Sequence, residues 1–594
     1  MCGISGELRF DGRASDRDAI NAMTAVLEPR GPDDVGTYFE GPVGLGHRRL
    51  SIIDLSSRAH QPMLDSTHQN AIVFNGSIYN YPQLREELIA LGHSFVSSGD
   101  TEVILKAYAQ WGEACVARLS GMFAFAIWDG RRNALFMARD RMGIKPLYYS
   151  MDSRRIRFAS NPQALIAGGD IDTSIDPVAL HHQFTLHAVV PAPRTVLSGI
   201  RKLPPAHTAV VTHSGSLEQS SYWTLSARRP AEKLSDDEWI ERTHAALRLA
   251  VKRRLEIADV PVGVLLSGGL DSSLLVGLLA EAGASKLKTF TVGFDDQPEE
   301  KGSEFEYSDP VVERFATDHH KFFVPNGELI PRVPEAVASM AEPMFGQDAV
   351  AFYLLAEQVS REVKVVQSGQ GADEVFAGYF WYPELHAASD ESGVDRFASR
   401  YFDREHEEWL EFIEPAHHLA TDPTRELIAA KLDAIDADEY LDRVLALDVT
   451  TLIVDDPVKR VDNMTMAWGL EARVPFLDHE LVELAASMPP ELKLRQGGKH
   501  PLKAIARGLV PDSVIDRKKG YFPVPALKYV RGEFLEFMRE ILNTQAARER
   551  GLYSRRYIDK LLAAPDTHLT RLQGSKLWHA ALLELWLQSH VDGA

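Results

Sequence analysis

Cysteine is nearly absent from this chain: Cys2 and Cys115 are the only two among 594 residues. Two thiols cannot build a disulfide framework and offer no zinc ligand set, so a disulfide-stapled secreted scaffold is excluded and a reducing compartment is expected. Long apolar runs are missing as well. Nothing approaches the roughly 18 consecutive apolar residues of a membrane-spanning helix. The first residues lack the basic stretch and apolar run of a targeting segment, so a cytoplasmic protein is expected. Positive charge is in deficit, with 64 Lys and Arg against 84 Asp and Glu, a net charge of −20. That balance disfavours nucleic acid and membrane surfaces as partners, because both call for a strong basic footprint. What is present is an ordinary globular mixture, 45% apolar and 25% charged, on a chain long enough for two or three domains. Small-molecule partners are expected.

The chain changes character once. Its first 220 or so residues carry short β-type runs broken by Gly, Asn and Pro, such as VGLGHRRLSIIDL (43–55), AIVFNGSIYN (71–80), GMFAFAIWDG (121–130) and ALFMARDRMGIKPLYYS (134–150). These predict a largely antiparallel assembly with a few helices, one over TEVILKAYAQWG (101–112). A polar stretch, SARRPAEKLSDDE (226–238), precedes a helical pattern. We therefore expect a first domain over 1–222, a linker at 223–235 and a second domain over 236–594. In the second part, VPVGVLLSGGLDSSLLVGLLAEAG (260–283), LKTFTVGF (287–294) and VKVVQSGQGADEVFAGY (363–379) read as buried strands followed by glycine turns or helices. Strands alternating with helices predict a parallel α/β sheet, with ligands beyond the carboxyl ends of its strands. Past residue 380 the pattern is mostly helical.

SGGLDSS (267–273) joins a buried strand to a helix. Adjacent glycines let a ligand approach the backbone, and the helix start offers unpaired N–H groups, a combination that suits phosphate. The loop alone reads equally well as a helix start rich in capping residues. It lacks the GK[ST] ending of a Walker loop. It resembles the pyrophosphate-binding loop of enzymes that cleave ATP between its α- and β-phosphates, and SGQGADE (368–374) narrows the resemblance to the asparagine synthetase family. VKRVDNMTMAWGLEARVPFLD (458–478), which looks like that family's helical signature, and GGKHPLKAIARGLVPDSVIDRKKGYFPVP (497–525), which looks like its closing segment, follow in order. The resemblance implies an ATP site from Leu265, Ser267, Gly268, Gly269, Asp271, Ser272, Ser273, Val292, Ser368 and Gly369. It implies Mg2+ shared by Asp271 and Asp373, a pair of hard oxygen ligands suited to that ion. Lys499 would neutralise charge on the acyl-adenylate and the departing pyrophosphate.

The N-terminal part resembles the class II glutamine amidotransferases, whose nucleophile is an N-terminal cysteine. Removal of Met1 would expose the α-amino group of Cys2, and that amine can act as general base for the neighbouring thiol. In GHRRLSIID (46–54) the resemblance assigns Arg49 to the substrate α-carboxylate, with Ile52 beside it; a planar guanidinium suits bidentate carboxylate binding. NG at 75–76 could be a hairpin turn, but the resemblance makes Asn75 and Gly76 the oxyanion hole. Asp100, in GDTEV, would hold the substrate ammonium. The fold implied is a two-domain α/β chain, an Ntn-type αββα glutaminase sandwich followed by a HUP-like parallel-sheet ATP-pyrophosphatase domain with extra helices. Homodimers are common in the family.

Two positions depart from the family pattern. NGSIYN stands where NGEIYN is usual, so Ser77 removes a carboxylate and leaves the ammonium mainly to Asp100; weaker or altered glutamine binding is expected. Gln370 stands where asparagine-forming members carry Glu. An amide cannot take the proton from attacking ammonia at neutral pH, so either another group such as Glu374 does so or Gln370 orients an acceptor other than aspartate. The runs VVQSGQGADEVFAGYFWYPELH and VDDPVKRVDNMTMAWGLEAR are similar to the branch that amidates N-acetylglutaminylglutamine. That resemblance favours the dipeptide as acceptor, with aspartate as the alternative.

Overall fold

The computed structural model describes residues 2–65, 67–388, 393–517 and 524–593. Met1, and residues 518–523 of the DRKKGYFPVP run, lie outside them. The N-terminal part contains two six-stranded antiparallel sheets. The first runs, edge to edge, through Arg201–Lys202, Tyr148–Met151, Arg155–Ala159, Gly3–Arg9, Val43–Arg49 and Asp34–Glu40. The second runs through Leu217–Ser221, His207–Thr212, Ala134–Arg139, Gly121–Asp129, Asn70–Ile78 and Met63–Asp65. Strand periodicity explains the layering. In Gly121–Asp129, Ala124, Ala126 and Trp128 face the first sheet together with Ile4, Leu8 and Phe158. Phe123, Phe125 and Ile127 face the opposite way, toward the helices Tyr81–Ala90 and Asp100–Trp111. Both faces of the strand are apolar because both are covered, and the period of two assigns each side chain its layer. Helices Arg17–Val26 and Pro162–Ala167 pack together against the first sheet. The result is an αββα sandwich.

The C-terminal part is built on a five-stranded sheet, parallel throughout, in the order Asp318–Val324, Lys288–Phe294, Val262–Leu265, Val365–Gln367, Glu471–Arg473. Strand order reverses between Val262–Leu265 and Val365–Gln367. That reversal opens the crevice in which doubly wound sheets bind ligands, and SGGLDSS and SGQGADE are the turns at its two sides. One expectation is revised. The stretch 458–478 is α-helical over Lys459–Met466 only, with a short 3-10 turn at Pro475–Leu477; Gly469, at φ +63°, ends the helical turn, and Glu471–Arg473 becomes the edge strand. A left-handed glycine is the usual means of stopping a helix. Residues 223–235 are irregular, as a linker would be, yet they are tied down: Arg228 Nε donates to Asp436 at 2.6 Å and Arg229 Nη2 to Asp442 at 2.6 Å.

The two parts meet along a seam that contains paired charges with almost no solvent. Asp462 accepts from Arg30 Nη2 at 3.0 Å and from Lys145 Nζ at 3.0 Å, and all three side chains are buried. Lys202 Nζ lies 3.0 Å from Glu342 and 2.6 Å from Asp455. Lys145 and Arg30 belong to the first part and Asp462 to the second, so neither part is electrostatically satisfied alone. We expect Asp462→Asn to destabilise the chain by about 3–5 kcal/mol, since it leaves two buried cations without their counter-charge. Burial works against ionisation of Asp462, but Arg30 and Lys145 hold its carboxyl below the usual range. Its contribution is therefore present above the unfolded carboxylate pKa and is lost only as pH falls through the lower folded value. Denaturant unfolding at pH 7 and pH 2 should show a large gap between wild type and variant at the higher pH and a smaller one at the lower, with most of the gap still present at pH 4.

Candidate active site

Cys2 precedes the first strand and is 7% exposed. Its backbone N–H donates to Asn75 Oδ1 at 3.0 Å, and its carbonyl accepts from Arg30 Nε at 3.3 Å. Arg30 is the residue that Asp462 holds from the other part, so the seam fixes the Cys2 backbone. Burial pushes the Cys2 thiol up, while the Leu50 N–H and the Arg49 guanidinium draw it back. With Asn75 Oδ1 engaged by Cys2, the Asn75 amide nitrogen is fully buried and has no hydrogen-bond partner among the described residues. A buried donor without an acceptor, beside a thiol, is a position where developing negative charge can be received. Gly76 is required here for space: a Cβ would come within 2.1 Å of the Met122 carbonyl oxygen in the paired strand.

Arg49 is buried and anchored by Nη1 to the Ser56 carbonyl at 3.0 Å and by Nη2 to the Asp54 carbonyl. The Ile52 side chain packs with Leu50 and Val365, and its carbonyl accepts from Asp259 N at 2.9 Å, so this position faces the seam. Asp100 opens the helix Asp100–Trp111 and accepts from Ile78 N at 3.1 Å; burial pushes its carboxyl up to about 7. Ser77 Oγ donates to Glu471 Oε1 at 3.2 Å. Glu471 belongs to the edge strand of the other part, is 1% exposed, and is gripped by Arg473 Nε at 2.5 Å. Burial opposes its charge, but Arg473 and Lys145 hold its carboxyl at about 2. The position vacated by the missing Glu at 77 therefore has an ionised carboxylate in contact with it, supplied from 394 residues away. Sequence reading missed Glu471 because its local context, GLEARVPFLD, gives no hint of which strand of which domain it faces.

The second site is a cleft of about 880 Å³ at the strand-order reversal. Leu265, Ser267, Gly269, Asp271, Ser272, Ser368, Gly369, Gln370, Asp373, Glu374 and Lys499 all line it. Gly268, Ser273 and Val292 do not. Gly268, at φ +74°, shapes the turn, and a Cβ there would meet Ser308 N at 2.7 Å. Ser273 and Val292 are buried in the packing behind the wall. Lys499 Nζ lies 2.6 Å from Asp271 Oδ2 and 2.8 Å from Asp373 Oδ1. Gly378 closes on the same cluster, since a Cβ there would lie 2.2 Å from both Asp373 Oδ1 and Lys499 Cε. Two carboxylates from adjacent strand ends that already share a cation are a donor set compatible with Mg2+. Burial works against the Lys499 charge, but the two carboxylates raise its pKa and keep it a fixed cation.

Beyond the phosphate end the cleft continues past residues that sequence reading did not single out. Tyr379 and Trp381 stack with ring centroids 4.3 Å apart, and Tyr401, His187, Asp348, Asp448 and Arg460 extend the wall. Arg460 lies 3.1 Å from Asp348 and 2.5 Å from Asp456. Glu374 accepts from Tyr379 Oη at 2.7 Å; burial and then Asp373 push its carboxyl up to about 7. A carboxylate with such a pKa can accept a proton near neutrality.

Fold and site define a class: an Ntn-type glutamine amidotransferase domain docked on a parallel-sheet synthetase domain. The family comparisons agree. A glutamine amidotransferase domain model matches residues 1–223, and an asparagine synthase model matches residues 242–588. The chain is 30% identical to glutamine-hydrolyzing asparagine synthetase 3 of Bacillus subtilis strain 168, over 99% of each chain. It is 31% identical to asparagine synthetase 1 of the same organism, over 100% of this chain and 97% of that one. It is also 28% identical to the amidase chyE of Penicillium rubens, over 83% of each. The chain belongs to the asparagine synthase family. It is thus a carbon–nitrogen ligase with glutamine as amido donor and ATP as a substrate.

The geometry around Glu374 gives one prediction that needs no substrate. Tyr379→Phe removes a hydrogen bond that favours the ionised carboxylate, so the Glu374 midpoint should move above 7. Carboxyl titration followed by isotope-edited infrared spectroscopy reads the shift directly; an unchanged or lowered midpoint contradicts it.

Proposed function

We propose that the chain hydrolyses glutamine at Cys2 and uses the ammonia to amidate N-acetylglutaminylglutamine at the cleft, with aspartate as the alternative acceptor. With Met1 removed, the α-amine of Cys2 takes the thiol proton and the sulfur attacks the glutamine amide carbon. Asn75 Nδ2 and the Gly76 N–H receive the oxyanion; ammonia leaves, and water releases glutamate from the thioester. Arg49 binds the glutamine α-carboxylate. Asp100 together with Glu471 takes its ammonium, so the amino-acid pocket is completed by the synthetase domain.

In the cleft the acceptor carboxylate oxygen bonds to the α-phosphorus of ATP and pyrophosphate departs. The mixed anhydride is then attacked by ammonia, AMP leaves, and Glu374 takes the surplus proton. Asp271 and Asp373 would hold Mg2+, which supplies positive charge to the phosphate oxygens when bound. Lys499 adds a second fixed cation at the same wall. Most of the rate comes from positioning and from charge opposed to the phosphates.

The observation that carries the acceptor is the character of the cleft beyond Gln370. An α-ammonium, as in aspartate, calls for a facing carboxylate, and position 370 offers a neutral amide. An N-acylated dipeptide has no ammonium and presents amides and extended chain, which suit the stacked Tyr379 and Trp381 and the long cleft. The same reading puts the domain boundary at 223–235 and keeps the protein cytoplasmic, in accord with two buried, unpaired cysteines. It takes a homodimer as the assembly.

Two measurements test it. Pyrophosphate release from Mg-ATP and glutamine should occur with N-acetylglutaminylglutamine and be at least tenfold slower with aspartate; the reverse order would replace the dipeptide by the alternative. Glu471→Gln should raise the KM for glutamine about 10- to 100-fold, the effect of losing one charge-assisted contact. Ammonia-driven synthesis by the same variant should stay within about twofold of wild type, which separates the binding role from a folding defect.

A further inference from the structure

A third cluster lies outside both sites. His187, Asp403 and His579 each present one ligand atom, and these atoms lie within 4.8 Å of one another. His187 Nδ1 is 2.9 Å from Asp403 Oδ2, and His579 Nδ1 is 3.9 Å from the same oxygen. The three residues come from remote segments: the turn after helix Pro177–Thr185, the turn after helix Gly393–Tyr401, and helix Lys576–Leu587. The His579 ring is fully buried, lies flat on Phe345 at 4.3 Å, and meets the His187 ring edge-on at 5.4 Å. Gly574 permits this approach, because a Cβ there would fall 2.7 Å from His579 Nε2 and 3.3 Å from His187 Cε1.

The polar accounting is incomplete without a ligand. Both ring nitrogens of His579 and Asp403 Oδ1 are buried and have no hydrogen-bond partner among the described residues. Each such group, left unsatisfied, bears its full desolvation penalty. The nearby cations do not resolve this: Lys576 Nζ pairs with Glu408 at 2.5 Å, and Arg404 lies over the rings of Phe184 and Phe412. We propose that His187, Asp403 and His579 form a site for a divalent transition-metal ion of the zinc type. Two imidazoles and a carboxylate are a borderline nitrogen–oxygen donor set, which favours zinc over magnesium. Tetrahedral coordination at roughly 2.0–2.2 Å sets ligand atoms roughly 3.3–3.6 Å apart, between the 2.9 and 3.9 Å found here. His187 also lines the synthetase cleft, so the ion would brace that cleft wall and tie the segment after helix Pro177–Thr185 to the C-terminal helix.

The test uses the full-length chain, stripped with a chelator and re-equilibrated with Zn2+ or Co2+ in Mg2+-containing buffer. Wild type should hold one equivalent of Zn2+ more than His579→Gln or Asp403→Asn. With Co2+ it should show a visible ligand-field band that both variants lack. Chelation should lower the wild-type Tm and leave the variants' Tm unchanged. Both variants keep Cys2 and Cys115, so any metal held by a thiolate cancels in the difference, and their glutaminase turnover reports that they fold. Equal metal content in wild type and both variants, or a wild type that takes up neither ion, overturns the site.

Discussion

Asp462 fixes how the two halves of this molecule sit against each other. Its carboxylate holds Arg30 and Lys145 of the amidotransferase domain, and Arg30 in turn fixes the carbonyl of Cys2. A buried ion pair adds little net stability compared with an apolar replacement, but removing one partner is severe. Such a seam therefore specifies one docking geometry rather than many. An apolar interface would tolerate sliding, whereas two cations on one carboxylate at 3.0 Å do not. In the function proposed above, ammonia is made in one domain and consumed in the other, and a fixed docking geometry is the condition for moving NH₃ without exposing it to water.

In the glutamine pocket proposed above, Glu471 would use the same device for substrate recognition. Ser77 leaves room beside it and Glu471 reaches that room from the synthetase sheet, kept ionised by Arg473. The contrast with Asp100 is instructive. Both carboxylates are buried, yet one lies at about 2 and the other at about 7, because only Glu471 has a guanidinium in direct contact. Environment, not residue type, sets each charge state. A pocket whose reliable negative charge comes from the other domain binds an ammonium well only when the domains are docked.

Much of this was legible in the sequence. The two strand–glycine turns predicted the crevice and the residues beside it, since a buried apolar run ending in Gly-Gly has few other local solutions. Residues Asn75, Gly76 and Cys2 were placed together through their order in a family pattern, and the structure brings Cys2 N and Asn75 Oδ1 to 3.0 Å. What could not be read was anything depending on which distant strand lies alongside. The edge strand Glu471–Arg473 hides inside a helical-looking stretch because only its pairing with Val365–Gln367 makes it extended. The long-range partners of Lys145, Ser77 and His187 are likewise tertiary facts with no local signal. Ser273 lies beside Ser272 and Val292 two residues from Phe290, both of which line the cleft, while the side chains of Ser273 and Val292 are themselves buried in packing.

The acidic residues around the far end of the cleft argue for an uncharged acceptor in spite of their number. Burial pushes Asp448 up to about 8, so near neutrality it carries its proton most of the time. Glu374, at about 7, is half protonated there. Asp348 and Asp456 share Arg460, and their charge is offset within the wall. Four acids and one guanidinium thus present far less negative charge than their count implies, and that charge is not aimed at a free ammonium. A cleft with this electrostatic character rewards aromatic stacking and neutral hydrogen bonding over ion pairing. In the proposed reaction Glu374, poised near neutrality beside Asp271 and Asp373, is the acid left for the proton that ammonia must lose when it becomes an amide.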